Sequence, residues 1–484
     1  MNTLKNKIPS QRKNQSWKGI TYKVHKRLGL AIMIPVLLWV VSGLMHPFMA
    51  NWFRPEIAQR FIIPQPVSDS ELTLGLKEVL VKNNISAFNN ARLIELEGAY
   101  YYQVALTENE LLYLNATHGT ITENADLKYA EQLARIFLDD QTSALLSSEL
   151  ITEFDTDYRE INRLLPAWKL TFDRPDGMEI YIETSSSRLG AFNSTIKKIH
   201  GRIFQLFHNW GFIPGPAWLR LTAICFFSAF VFITALAGLI IYGFAWKRFK
   251  NIKHENNSTR KRKLHRKIGL VFSLFMFMFA FSGWFHAIQK FKGDNRHEIF
   301  DKSTILTASL DKDFNQLIQE LGQPVINFSL ANFGGESYFR IMVKEGKFAK
   351  PLYFSTKTGN LLSDGEAQYA KHLAKDFANF PEIEISEIAS ITQFKGEYGF
   401  VNKRLPVQKV LFKSVGNPAV YVETSTGKLG AIVTDSDRME GYSFAFLHKF
   451  HFLDGFGKNF RDILTMLAAC SLLVTAFLGW RISK

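Results

Sequence analysis

Six of the twelve histidines stand in three pairs related by one shift along the chain: His25 with His265, His46 with His286, and His208 with His448, each 240 residues apart. Neutral imidazole is a good ligand for iron, and two imidazoles from opposed helices can clamp a flat macrocycle from both faces. The chemistry such a set supports is one-electron transfer through b-type haem, because the sequence has no CxxCH for covalent attachment. Within each copy, His25 to His46 and His265 to His286 span 21 residues, which at 1.5 Å per helical residue is about 31 Å, roughly the hydrocarbon thickness of a bilayer. The histidines therefore fall into two layers, and two haems are expected. His25 and His265 are the natural inner pair. In the outer layer, His208 with His448, or the cross-pairs His46 with His448 and His286 with His208, all satisfy the symmetry, and His451 is a lower-ranked substitute.

The plain alternative is that each histidine only anchors a helix end among lipid headgroups. Three pairs in register argue against it, since His118, His200 and His451 were not kept as pairs, their equivalents being Thr358, Glu440 and Gly211. Large apolar residues such as Phe272, Phe275, Phe277, Phe279 and Phe281 can pack around a porphyrin, and Arg220 and Arg461 can meet its propionates, although snorkelling anchors are the commoner role. Other chemistries find little support. There is no HExxH, GxSxG or phosphate loop. Cys225 and Cys470 lie within apolar runs and form neither a CxxC nor a soluble-domain pair. Asp435 with Asp437 reads as an acidic pair in a polar connection, and Glu183 with Glu423 as a duplicated carboxylate that is solvated or structural.

The elements that position these residues follow from hydropathy and charge. Uncharged runs cover residues 28–53, 221–246, 268–289 and 463–480, each long enough to span or nearly span a bilayer. The first run is expected to stay as a helix and not to be cleaved, being long and ending in His46-Pro47-Phe48. The net charge of +14 is concentrated: residues 1–27 carry eight Lys or Arg and no acid, and residues 246–267 carry ten against Glu255 alone. Confined basicity marks cytoplasmic segments, so both termini and the middle loop are expected inside the cell. Nucleic-acid binding is not expected, and the lipid bilayer is the partner this charge serves. The expected order is a basic tail (1–27), a span (28–53), an extracytoplasmic domain (54–216), a span (217–246), a basic loop (247–267), a span (268–290), a second domain (291–458) and a last span (459–481).

The shift of 240 extends well beyond the histidines. "LYLNATHGTI" from Leu112 meets "LYFSTKTGNL" from Leu352, "YAEQLARIF" from Tyr129 meets "YAKHLAKDF" from Tyr369, and "IYIETSSSRLGA" from Ile180 meets "VYVETSTGKLGA" from Val420. A register held this far predicts tandem duplication of helix, domain, helix. Within each domain, period-2 stretches such as "YYYQVAL" predict strands. "DSELTLGLKEVLVKN", with Asp69 and Ser70 as candidate caps, and "KYAEQLARIF" predict helices. Thr-Gly at 358–359 and 426–427 predicts hairpin turns. The fold class is thus a four-helix membrane protein in two duplicated halves, each with an α+β extracytoplasmic domain.

A helix opening with His, basic residues and Leu/Ile-Gly and carrying Ser-Gly near its far end is similar to the PepSY-associated transmembrane family of bacterial inner-membrane proteins. The "LP" before a strand (Leu165-Pro166, Leu405-Pro406) and the "LFH" or "FLH" ahead of another span strengthen that resemblance. It implies a PepSY-like domain in each half and an activity like that of di-haem inner-membrane reductases, which reduce ferric siderophores or other ferric chelates in the periplasm with electrons from a quinol or another donor. Two other classes stand beside it: a non-enzymatic PepSY sensor or peptidase-regulating module, and a transporter, which the parallel repeat and the absence of Gly/Pro-broken spans disfavour.

Overall fold

The computed structural model describes residues 16–51, 65–67, 72–250, 256–293, 299–346, 348–378 and 384–483. The basic tail before Ser16, part of the basic loop, and the candidate caps Asp69 and Ser70 lie outside the described residues. In chain order the elements are α1 (Trp17–Ala31), α2 (Met33–Asn51), α3 (Leu76–Lys82), β1 (Ala87–Phe88), β2 (Asn90–Leu96), β3 (Ala99–Thr107), β4 (Glu110–Asn115), α4 (Ala125–Leu138), β5 (Leu145–Ile151), β6 (Ala167–Phe172), β7 (Glu179–Glu183), β8 (Arg188–Asn193), α5 (Thr195–Phe207) and α6 (Ala217–Lys250). They continue with α7 (Asn257–Gln289), β9 (Ile305–Leu306), α8 (Phe314–Leu321), β10 (Val325–Phe333), β11 (Glu336–Glu345), β12 (Phe348–Ser355), β13 (Leu361–Leu362), α9 (Gly365–Ala378), β14 (Ile385–Ile391), β15 (Val407–Phe412), β16 (Ala419–Glu423), β17 (Lys428–Val433), α10 (Asp435–Ser443) and α11 (Lys458–Ser483). The chain divides into two units, one of residues 1–52, 203–292 and 439–484 and the other of residues 53–202 and 293–438.

The first unit is a helical bundle. Three helices, α6, α7 and α11, are long and apolar enough to cross a membrane, and α1 with α2 makes a fourth only if the bent pair is one span. The expected single helix over 28–53 is instead two, meeting at 51°. Pro35 is the cause: it has no N–H to offer the Ala31 carbonyl, and its ring crowds that turn. The position 240 residues on is Phe275, and α7 runs through it unbroken. The basic segments are also more helical than the expected tail and loop. Ser16 and Asn256 cap α1 and α7, accepting from Gly19 N and Thr259 N, and Lys and Arg are good helix formers. Helix α6 packs on α1 and α7, and α11 packs on α2 and α7. Ile32, Val36, Val40, Val231, Ala280 and Leu472 bury their side chains at the centre.

The second unit is α+β. It holds antiparallel sheets in the orders β2-β3-β4, β5-β6-β7-β8, β10-β11-β12-β13 and β14-β15-β16-β17, with β1 pairing β9. Helix α4 buries Tyr129, Leu133 and Phe137, one turn apart, against Leu170, Ile180 and Ile182, and α9 does the same with Tyr369, Leu373 and Phe377 against Val410, Val420 and Val422. Each such side chain contributes roughly 1.5–3 kcal/mol on burial. The Thr-Gly turns are present, with Gly359 at φ +78° and Gly427 at φ +66°, a region open to glycine. The helix expected from Asp69 is shorter than its pattern: α3 starts at Leu76 behind Gly75. Asp435 and Asp437 sit in the first turn of α10 and not in a polar connection; Asp437 accepts from Thr434 N and Oγ1.

The duplicated carboxylates are structural and not solvated. Glu183 and Glu423 are fully buried and share Arg404, whose Nη2 and Nη1 stand 2.8 and 2.9 Å from them. Arg188 pairs with Glu423, and Lys428, at the equivalent position, with Glu183. Burial alone would push both carboxyls up. For Glu183 the cations Arg404, Lys428 and Arg188 outweigh it, and for Glu423 Arg188 and Arg404 do, so both are held well below the usual carboxylate range.

Candidate functional site: two facing histidine pairs

His25 on α1 and His265 on α7 face each other with ring centroids 6.1 Å apart. Each ring is held from behind by a backbone carbonyl of a neighbouring apolar helix. His25 Nδ1 lies 3.0 Å from the Thr234 carbonyl of α6, and His265 Nδ1 lies 3.1 Å from the Thr475 carbonyl of α11. A carbonyl only accepts, so Nδ1 carries the proton and Nε2 keeps its lone pair for a metal. One turn further along the same helices come Gly238 and Gly479. A Cβ at Gly238 would stand 3.1 Å from His25 Cε1, and one at Gly479 would stand 3.3 Å from His265 Cε1. Both distances are shorter than the 3.5–4.0 Å of an ordinary carbon contact. Threonine carbonyl and glycine thus form a saddle into which each imidazole drops.

His208, just past α5, and His448, in the helical turn after α10, face each other at 6.3 Å. Their anchors are side chains. Ser42 Oγ donates to the Leu38 carbonyl at 2.6 Å and lies 3.2 Å from His208 Nδ1, while Ser282 Oγ donates to the Phe279 carbonyl at 3.2 Å and lies 3.1 Å from His448 Nδ1. A hydroxyl has one proton. With that proton on the helix carbonyl, the oxygen accepts from Nδ1–H and again leaves Nε2 free. Phe204 stacks on His208 and Phe444 on His448, and Trp39 Nε1 donates to the His208 carbonyl at 3.1 Å.

Both pairs suit a metal between the rings. An imidazole nitrogen binds a metal at about 2.0 Å, and the ring centroid lies about 1 Å behind it, so one iron with two axial imidazoles sets the centroids roughly 6 Å apart. The donor set, two neutral imidazoles with Nδ1 already engaged, is the one b-type haem takes. The other sequence candidates are placed differently. His46 lies beside Phe204 at 6.2 Å, and His286 turns Nδ1 to Glu440 Oε1 at 2.5 Å; neither has an imidazole opposite it at such a distance among the described residues. His451 is tied to Asp454 and Arg461, and Arg461 to Asp454 and Asp462. Phe279 lies against His448 at 5.4 Å, Phe275 and Phe279 pack on Phe450, and Phe277 packs on Phe232.

The residues missed from sequence are Thr234, Thr475, Gly238 and Gly479. Their signal was present: "ITALAG" from Ile233 recurs as "VTAFLG" from Val474, but at a shift of 241, so an alignment held at 240 puts them out of step.

Apolar helices with histidines paired between them, joined in one chain to an α+β unit, define a membrane protein of the kind the sequence pattern anticipates. The PepSY-associated TM region family model matches residues 109–324, which bears out that family resemblance over α4, α6, α7 and the strands beside them. No curated protein matches the chain.

Proposed function

We propose that the protein is an inner-membrane oxidoreductase holding two b-type haems, one between His25 and His265 and one between His208 and His448, which carries electrons across the bilayer to reduce a ferric siderophore or other ferric chelate in the periplasm. In this reading α1 with α2 is one span and the chain crosses four times as two duplicated halves. Both termini are cytoplasmic and the α+β domains periplasmic. The observation that carries it is the two pairs of facing imidazoles, at 6.1 and 6.3 Å, each ring with Nδ1 engaged.

The chain's own residues hold and tune. Nδ1 anchoring fixes each ring's tautomer, leaves the Nε2 lone pair for the metal and raises its basicity. The apolar bundle around Val36, Val40, Val231 and Leu472 keeps water from the space between the layers. When bound, haem supplies reversible one-electron transfer at each layer. The test is optical. Protein purified in detergent from haem-replete cells is expected to yield haem extractable by acidified organic solvent and to show a low-spin α band after dithionite. A colourless preparation overturns the assignment and leaves the sensor reading.

A further inference from the structure

One titratable pair at the outer end of α7 has no part in holding a cofactor. His286 Nδ1 and Glu440 Oε1 are 2.5 Å apart, with the imidazole 39% and the carboxylate 20% exposed. A pair this accessible contributes little to stability. The fold does not need it either, because the position equivalent to Glu440 in the first copy is His200. What distinguishes the pair is its placement. The His286 ring lies 4.9 Å from Phe444, and Phe444 stacks on His448 at 4.8 Å, so the dyad is one phenyl ring from the outer facing pair. With Nδ1 engaged by Glu440, Nε2 is the ring's second nitrogen on a side chain 39% exposed.

We infer that His286 and Glu440 form the proton-delivering dyad at the outer electron exit, a role that rests on the function proposed above. Chelators that bind Fe(III) through anionic oxygens release iron when the metal gains an electron and the oxygens gain protons. In the step inferred here one electron from the outer layer reduces Fe(III) to Fe(II). One Fe–O bond breaks, its electron pair stays on oxygen, and that oxygen takes the proton from His286 Nε2. Glu440 accepts from Nδ1–H and fixes the ring, so that the proton given up is the one on Nε2, and a proton from bulk solvent replaces it. The dyad then acts on acceptors whose reduction releases a basic ligand and is idle with acceptors that need no proton.

Two acceptors and two variants, Glu440→Gln and His286→Gln, separate the outcomes. Protein prereduced with dithionite is mixed rapidly with ferricyanide, which takes an electron without a proton, or with a ferric trihydroxamate, and reoxidation is followed at the α band. Haem content and ferricyanide rates are expected to match the unsubstituted protein in both variants, while the trihydroxamate rate falls about 100-fold, the scale of a general acid. Calorimetric binding of the gallium(III) trihydroxamate, which cannot be reduced, to haem-free protein is expected to be unchanged by Glu440→Gln. Unaltered trihydroxamate rates, equal loss with both acceptors, or loss of gallium chelate binding each overturn the proton-delivery role. Absence of haem from the unsubstituted protein refutes the function itself, and unsubstituted protein that reduces ferricyanide alone refutes its substrate.

Discussion

The glycine saddle makes a prediction whose sign opposes ordinary helix behaviour. Replacing Gly by Ala inside a helix normally stabilises it by about 1 kcal/mol. At Gly238 the new methyl would stand 3.1 Å from His25 Cε1 and at Gly479 3.3 Å from His265 Cε1, so each imidazole must retreat by a few tenths of an ångström. Overpacking of this kind costs about 1–3 kcal/mol. Under the proposed function the strain is relieved by moving a ligand, so it is expected as lost haem affinity, about tenfold for each 1.4 kcal/mol. Gly238→Ala, the tighter site, is expected to lose more than Gly479→Ala. The controls are built in. A methyl at Gly29 or Gly269 meets a threonine Cγ2 at 3.7 or 3.8 Å, an ordinary contact, and one at Gly283 meets nothing within 4 Å. Haem titration of the purified apoprotein, followed at the α band, and thermal unfolding of the same samples read both effects. Weaker haem binding in Gly238→Ala and Gly479→Ala with full affinity in the three controls is the expected pattern; Gly238→Ala with unaltered affinity refutes the saddle.

The remaining predictions concern ligands, topology and the buried ion cluster. His25→Ala and His265→Ala are each expected to lose the same haem, and the double variant little more, because both act on one iron; haem content by pyridine haemochrome checks this, and additive losses contradict a shared site. The same cycle on His208 and His448 is expected to show coupling, whereas His46→Ala is expected to keep full haem occupancy. Reporter fusions after residue 130 or 370 are expected to be active outside the cytoplasm and those after residue 256 inside it, and the reverse contradicts the layer assignment. Arg404→Met leaves Glu183 and Glu423 buried with less counter-charge and is expected to cost about 3–5 kcal/mol of domain stability, read by denaturant unfolding. Because both carboxyls are held below their unfolded values, their contribution is complete above about pH 4.5 and fades as the pH falls below it; the melting temperature is expected to drop on acidification below that point, and to drop less in the variant.

That His25, His265, His208 and His448 come together was legible in part, because the repeat writes each histidine twice; His46 and His286 carry the same signal and stand elsewhere. The break between α1 and α2 was also legible in principle, since Pro35 has Phe275 as its counterpart. What sequence could not supply was pairing. Two outer arrangements satisfied the symmetry, His208 with His448 or the two cross-pairs, and which imidazoles face each other depended on where α5 and α10 deliver the turns bearing His208 and His448. The Ser-Gly and "LFH" signatures were each visible, yet that Ser42 anchors His208 across 166 residues follows only from helix packing. The carbonyl anchors were invisible for a deeper reason: a backbone acceptor has no side-chain identity to read. Glu183 and Glu423 were left as solvated or structural, because alternation along a strand gives the face a residue occupies but not what covers it; the structure decides for the second.

That difference in anchoring has a consequence for how the two layers can change over time. Ser42 and Ser282 are side chains, so a single codon change to alanine, threonine or cysteine alters the hydrogen bond behind His208 or His448 and with it the electron-donating strength of the ligand. The carbonyls of Thr234 and Thr475 belong to the peptide backbone and survive every substitution at those positions. Under the function proposed above, the outer pair is therefore open to gradual adjustment of ligand strength by substitution at its anchors, while the anchors of the inner pair are insulated from such drift. One chain thus fixes one imidazole pair through its backbone and leaves the other to side chains.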